Sequence, residues 1–414
     1  MSTRPHQLLE ILQHYTKTDM TYLARGGFWL GVGHVAQILG GLIVTIVLAN
    51  TLTKSDLGTY QFILSTATIL GAFTLTGLAV AITTATAKGD EGALRSGVRT
   101  KLKWNVGILI ASALVAAYYF YNDNDTLGIA FLIVGAMAPF IEGFHLYQPY
   151  LVGKQAFRHV AYLNIVRKAI PMTAILTTVA FTRDPLHLVA AYFLSNAVTM
   201  ALLYKLTVWN YQPPLSTDFS DTVAFSKHLS VMKLLGRIAG HIDKVLIFHH
   251  LGSVAVATYT IAQLPVRYTG SSMSLLRSLV LPKLAKRDFP TLQKTLPRKV
   301  RFLFLLALLI TIVYILLAPW VFALVFPEFP EAVLLSQVLA LHILLLPRST
   351  YSHALTAHEK TKALYILQIG MPLLKLGLLY FLLPIYDIWG AVYAILASDV
   401  IGMILVYTLF KFAR

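Results

Sequence analysis

The sequence predicts an all-α polytopic membrane protein of twelve transmembrane helices, arranged as two six-helix halves around a central cavity. Three observations carry that expectation. Hydrophobic residues make up 57% of the 414 residues and charged residues only 13%, with a mean hydropathy of +0.68, too apolar for a chain with a charged, water-facing surface. Stretches such as 104–121, 302–326 and 363–383 reach the ~20 residues that cross a bilayer core as a helix, and the period-2 alternation of a transmembrane barrel is absent. Finally, the phrases "LTKSDLGTYQFI" (52–63) and "LGSVAVATYTIA" (251–262) match with Tyr60 over Tyr259, an offset of 199, close to half the chain.

Residues 1–24 are polar, with Pro5, two histidines and Asp19 where a cleavable signal would have an apolar core, and are expected to form a cytoplasmic lead-in. Helices are expected at 25–49, 57–86, 104–121, 127–150, 160–181 and 187–209, making an N-terminal half over 25–209. A cytoplasmic linker at 210–228 follows. The C-terminal half, 229–414, then holds helices at 229–249, 255–281, 302–326, 332–356, 363–383 and 389–410. A second pair of phrases, "LVGKQAFRHVAYLNI" (151–165) and "LTAHEKTKALYILQI" (355–369), joins the fourth and fifth helices of each half at an offset of 204. Six helices per copy is an even number, so the halves share orientation and are expected to rock about a site between them. With no cysteine in the chain, disulfides and thiol chemistry are excluded.

Basic residues in short loops stay on the cytoplasmic side. The connections after even-numbered helices hold Lys88, Arg95, Arg99, Lys101 and Lys103; Lys154 and Arg158; Lys227; a cluster from Lys283 to Arg301; and Lys360 and Lys362. Those after odd-numbered helices hold only Lys54 and Arg183 against seven acids, among them Asp56, Asp184, Glu331 and Asp387. Both termini are therefore expected in the cytoplasm, in a cell (inner) membrane. The formal charge of +16 reads as this topology signal plus attraction to anionic lipid headgroups, with no nucleic-acid binding implied.

Nine basic residues remain at membrane depth: Arg167, Lys168, Lys233, Arg237, Lys244, Arg267, Arg277, Arg348 and Lys375. Three acids join them, Glu142, Asp243 and Asp399. A charge at mid-helix costs roughly 2.5–3.5 kcal/mol even on the lenient insertion scale, so several must line a wet cavity. Lys233, Arg237, His241 and Lys244 follow steps of 4, 4 and 3, one helical face. In the next helix Thr260, Gln263, Arg267, Ser271 and Ser274 form a polar stripe, and helix one offers Gly27, Gly31, His34, Gln37 and Gly41. The expected lumen carries a surplus of +6 and suits a diphosphate or an acidic sugar, with Arg237, Arg267, Arg348, Lys244 and Lys375 as substrate contacts. Asp243, Glu142 and His241 are candidates for ion coupling, and Glu142 with His145 is a candidate proton-sharing pair. Lys168, Lys233 and Arg277, near cytoplasmic helix ends, are expected to snorkel.

The segment "HIDKVLIFHHLGSVAVATYTIA" (241–262) resembles the seventh-to-eighth-helix region of the polysaccharide (O-antigen, Wzx-type) flippases of the multidrug/oligosaccharidyl-lipid/polysaccharide exporter superfamily, and "VLANTLTKSDLGTYQFILS" (47–65) is similar to that family's first-to-second-helix signature. On the matching positions the resemblance covers Asp243, Lys244, Gly252 and Tyr259. It implies translocation of a polyprenyl-diphosphate-linked oligosaccharide from the inner to the outer leaflet by alternating access. The implied partners are that lipid-linked glycan, membrane lipids and, docked on basic loops, a glycan polymerase or glycosyltransferases. No cofactor, metal or enzymatic activity is expected, and no GxxxxGK[ST] nucleotide loop is present. The alternatives are a lipid II-type flippase, a cation-drug antiporter of the same superfamily, and a membrane glycosyltransferase, polymerase or ligase. Short outer loops speak against the last, and basic cavity residues against the antiporter.

Overall fold

The computed structural model describes residues 20–214, 220–270, 284 and 287–413. The expected lead-in therefore falls largely outside the described residues, as do Ser271, Ser274 and Arg277. All regular structure among the described residues is helical.

Helix α1 (Met20–Thr51) is followed by α2 (Lys54–Leu70), whose first turn is capped by Thr53, its hydroxyl accepting from the Asp56 N–H. A 3-10 turn at Gly71–Phe73 and a short break bend the chain by 58° into α3 (Leu78–Ala87). The amphipathic, basic α4 (Ala93–Trp104) leads into the apolar α5 (Val106–Tyr121). Then come α6 (Asp125–Phe144), α7 (Tyr147–Gly153), α8 (Phe157–Phe181) and α9 (Pro185–Tyr211). Asn124 and Asp184 cap α6 and α9, and proline occupies the first turn of α9, where its missing N–H costs nothing.

Helix α10 (Ser220–Ala239) begins inside the segment expected as linker, and α11 (Ile242–Ala262) continues it after a break at Gly240–His241. A helical stretch over 264–270 follows. The remainder comprises α12 (Phe289–Val325), α13 (Ala332–Leu339), α14 (Leu341–Leu345), a 3-10 turn at Leu346–Arg348, α15 (Ser349–Ala357), α16 (Thr361–Tyr365), a π turn at Ile366–Gly370 and α17 (Met371–Phe412).

Among the described residues, eight helical stretches are long and apolar enough to cross a membrane, or nine if the bent α2–α3 pair is one span. Two contain a reversal of the chain. In α11 Gly252 takes φ 83°, a conformation open to glycine at little cost. The Tyr259 hydroxyl reaches back to the Asp243 carboxylate at 2.9 Å, whereas 16 residues of straight helix would separate them by about 24 Å. In α17 Asp387 takes φ 51°, and a Cβ on Gly390 would lie 2.1 Å from the Leu382 carbonyl oxygen, so the two arms touch. Both reversals fall in the loops expected from sequence, at 250–254 and 384–388.

The largest apolar core joins α1, α2, α5, α6, α8 and α9 to α11, α13 and α17. Its tightest contact is between the two repeated phrases: a Cβ on Gly58 would lie 1.8 Å from the Ser253 carbonyl oxygen, and the Ser55 and Ser253 hydroxyls share a 2.8 Å hydrogen bond. Around it, Lys54 pairs with Glu331 at 2.7 Å, Phe62 stacks on Phe248 at 3.9 Å, and the Tyr119 hydroxyl meets His249 at 3.1 Å. Facing away from the core, α5 and α12 present Leu114, Leu316, Trp320 and Leu324, an outward apolar surface suited to lipid. The protein is a multi-pass membrane protein.

Candidate functional site

A cavity of about 500 Å³ lies where α2, α6 and α9 face α10, α11, the 264–270 helix, α14 and α17. The α10–α11 break places Gly240 and His241 on its wall. Breaking a helix at this depth frees main-chain groups, which is tolerated where they line a water-filled space.

The three carboxylates expected at membrane depth all line the cavity, and each has its own cations. Glu142 of α6 accepts from Arg237 of α10 at 2.8 Å and from Lys101 of α4 at 3.1 Å. Asp243 is 2% exposed; it takes hydrogen bonds from Tyr259, Gln263 and the Lys244 N–H, and Lys375 stands 3.7 Å away while donating to the Ala239 carbonyl at 2.7 Å. Asp399 of α17 is held by Arg348 at 2.5 Å and by His342. Such compensation is what allows a carboxylate to persist in a low-dielectric interior.

Two cavity cations differ. Lys244 and Arg267 line the cavity and neither forms a side-chain hydrogen bond or ion pair among the described residues. Arg267 is also exposed, and it lies within electrostatic range of Lys244, Lys168, Tyr60 and Tyr192. Positive charge is therefore concentrated on side chains that, among the described residues, no carboxylate holds by a hydrogen bond or ion pair.

Of the expected substrate contacts, Arg237, Arg267, Lys244 and Lys375 line the cavity, and so do all three coupling candidates, Asp243, Glu142 and His241. Arg348 does not; its guanidinium is turned onto Asp399. Glu142 and His145 share no hydrogen bond, because His145 bonds Gln148 and Arg167. Nor does the polar face of α1 reach this cavity: Gln37 binds Arg167, and Gly41 packs beside the Tyr268 hydroxyl. Lys233 is off the lining. Lys168 lies along Gly40 and Gly41 of α1. The expected surplus of +6 therefore shrinks to +3 once Lys101 and Arg348 are counted with the acids they bind. Lys101 is the residue sequence reasoning missed: grouped with the cytoplasmic loop charges, it is 4% exposed and points inward.

Residues 23–286 match the polysaccharide biosynthesis protein family. The chain belongs to that family. It is a flippase family of the MOP superfamily. Among solved structures, the fold is similar to the lipid II flippase MurJ in its inward closed conformation, with a TM-score of 0.73 and 13% identity over 94% of this chain and 87% of that one. An inward-facing multidrug resistance MATE family transporter of the MOP superfamily matches with a TM-score of 0.69 and 14% identity over 91% and 94%. A MOP superfamily transporter from Pyrococcus furiosus, described as having a binding pocket of reverse polarity that suggests a different function, matches with a TM-score of 0.58 and 17% identity over 94% of both chains. At these identities the likeness is one of fold. No curated protein matches the chain in sequence.

Proposed function

We propose that this flippase moves a polyprenyl-diphosphate-linked oligosaccharide from the cytoplasmic to the outer leaflet, working by alternating access between two six-helix halves, 25–209 and 229–414. The observation that carries the reading is the pair Lys244 and Arg267, which make no side-chain hydrogen bond or ion pair among the described residues and line a cavity whose carboxylates are all occupied. Two cations at membrane depth without an ion pair among the described residues, each costing roughly 2.5–3.5 kcal/mol, are explained by an anionic cargo, and a diphosphate carries the complementary charge. Splitting the helical stretches at Gly252 and Asp387, and counting α8 and the bent α2–α3 pair, makes twelve spans.

Arg237 and Lys375 join the site when the cargo's charge draws them from Glu142 and Asp243; Arg348 acts through Asp399. Asp243, Glu142 and His241 are the proposed coupling groups. The loop charges support cytoplasmic termini in the cell membrane, with a glycan polymerase or glycosyltransferases as partners on the basic side. A lipid II-type cargo shares the diphosphate and fits the same site, in keeping with the likeness to MurJ. A cation-drug antiporter would need free carboxylates, and each of the three here already holds its own cation.

Charge reversal provides the test. Arg267→Glu and Lys244→Glu should each abolish glycolipid movement while leaving expression and melting temperature within a few degrees, since neither side chain has a hydrogen bond or ion pair to lose among the described residues. Full activity in both variants would refute the reading.

A further inference from the structure

On the cavity wall, His342 joins the Arg348–Asp399 pair. His342, on α14, places Nδ1 against Asp399 Oδ2 of α17. Arg348, in the 346–348 turn, donates from Nη2 to Asp399 Oδ1 at 2.5 Å and from Nη1 to the Asp399 carbonyl. Gly402 leaves room for that guanidinium, because a Cβ there would lie 2.8 Å from Nη1. Arg348 already answers the Asp399 charge, so the cluster is neutral when the imidazole is neutral. His342 keeps 18% of its side chain exposed and lines the cavity. An ionised carboxylate only accepts hydrogen bonds, so Nδ1 carries the ring hydrogen and Nε2 keeps a free lone pair.

We propose that His342 is a proton-binding site of the cavity, its Nε2 taking a proton from cavity water while Asp399 holds the resulting imidazolium, with uptake linked to binding of the anionic cargo. One N–H bond forms at Nε2 as one O–H bond of a hydrated proton in the cavity breaks and leaves neutral water, so the cluster gains one positive charge. This rests on the anionic-cargo reading.

The charged groups around this cavity set the sign of the linkage. Asp399 is the carboxylate that the ring touches. Arg348 from the 346–348 turn shares that carboxylate, and Lys375 from α17, Lys244 from α11 and Arg267 from the 264–270 helix line the same cavity. Asp243 on α11 is already matched by Lys375, and Glu142 on α6 by Arg237 and Lys101; His241 lies across the same cavity. Behind α14, the 302–325 stretch of α12 brings Tyr314 as its one ionisable side chain, bonded to Ser336 of α13. An anion seated at Lys244 and Arg267 lowers the positive charge of the cavity that His342 lines, so anion and proton strengthen one another's binding, reciprocally.

The probe is UDP-N-acetylglucosamine, a soluble sugar diphosphate diester whose phosphates do not titrate near neutral pH. Its binding to the full-length protein in nanodiscs is measured by calorimetry in two buffers of different ionisation enthalpy. Wild type should take up about one proton per anion, and affinity should weaken by up to about tenfold per pH unit through the histidine range. His342→Gln should still bind, with no proton uptake and a flat pH profile. Uptake that persists in His342→Gln, or binding to wild type without uptake, would overturn the proposal. If wild type binds no probe at any pH, the anionic-cargo reading fails separately. NMR of the His342 ring in the free protein then decides: a ring that stays neutral over about pH 5 to 8 overturns the proton site as well.

Discussion

Glu142 holds two cations at once, Lys101 from the amphipathic α4 and Arg237 across the cavity. Replacing it by Gln leaves a 4%-exposed lysine without a counter-charge. Breaking a buried pair from one side costs about 3–5 kcal/mol, here toward the lower end because Arg237 can turn to cavity water. Glu142→Gln should therefore lower the melting temperature in a thermal unfolding assay, whereas Arg267→Ala should not; equal melting temperatures would contradict the pairing. Much of this site is legible in the sequence. The 4, 4, 3 spacing puts Arg237, His241 and Lys244 together, and the structure keeps them on the lining despite the break at Gly240–His241. Long-range pairing is not legible: nothing local to Lys101 or Arg348 says that each will meet a carboxylate 41 or 51 positions away.

At the scale of elements, the close crossing of α2 and the start of the second arm of α11 depends on Gly58. Any Cβ at that position meets the Ser253 carbonyl oxygen at 1.8 Å, so Gly58→Ala should force the two repeated phrases apart. In this cysteine-free chain, a single cysteine at position 253 reports the change. Its labelling by a membrane-impermeant maleimide should quicken several-fold in the Gly58→Ala background, and an unchanged rate would mean the crossing relaxes elsewhere. Beside it, partial burial pushes the Glu331 carboxyl up, but the Lys54 and Thr258 hydrogen bonds prevail and hold it below the ordinary carboxylate value. A lowered carboxylate pKa stabilises the folded contact above its unfolded value, about 4.3 for Glu, and the effect is lost as pH falls through the lower folded value. Maleimide labelling at position 253 should accordingly be insensitive to Glu331 protonation between about pH 6 and 8, and Glu331→Gln should raise it at every pH in that window. The reversals at Gly252 and Asp387 were readable because turn chemistry is local. The 58° bend between α2 and α3 was not, since residues 57–86 read as one apolar run.

For the whole molecule, the repeated phrases meet face to face, with Ser55 and Ser253 hydrogen-bonded at 2.8 Å. Alternating access requires that contact to open. Cysteines placed at both positions should cross-link under oxidation, stop transport, and release it again on reduction; transport through the cross-linked protein would show that the two phrases never part. The 199- and 204-residue offsets suggest two halves in the sequence, but which faces meet depends on contacts distant in sequence. The proposed cargo of the cavity is a diphosphate-linked glycan. The measurement that tests it most directly is transbilayer movement of a fluorescent polyprenyl-diphosphate oligosaccharide in liposomes holding the purified protein, beside an Arg267→Ala control and a fluorescent organic cation. Protein-dependent movement of the glycolipid, lost in Arg267→Ala, and no movement of the cation are the expected results. Movement of the cation with the glycolipid left in place would contradict the proposal.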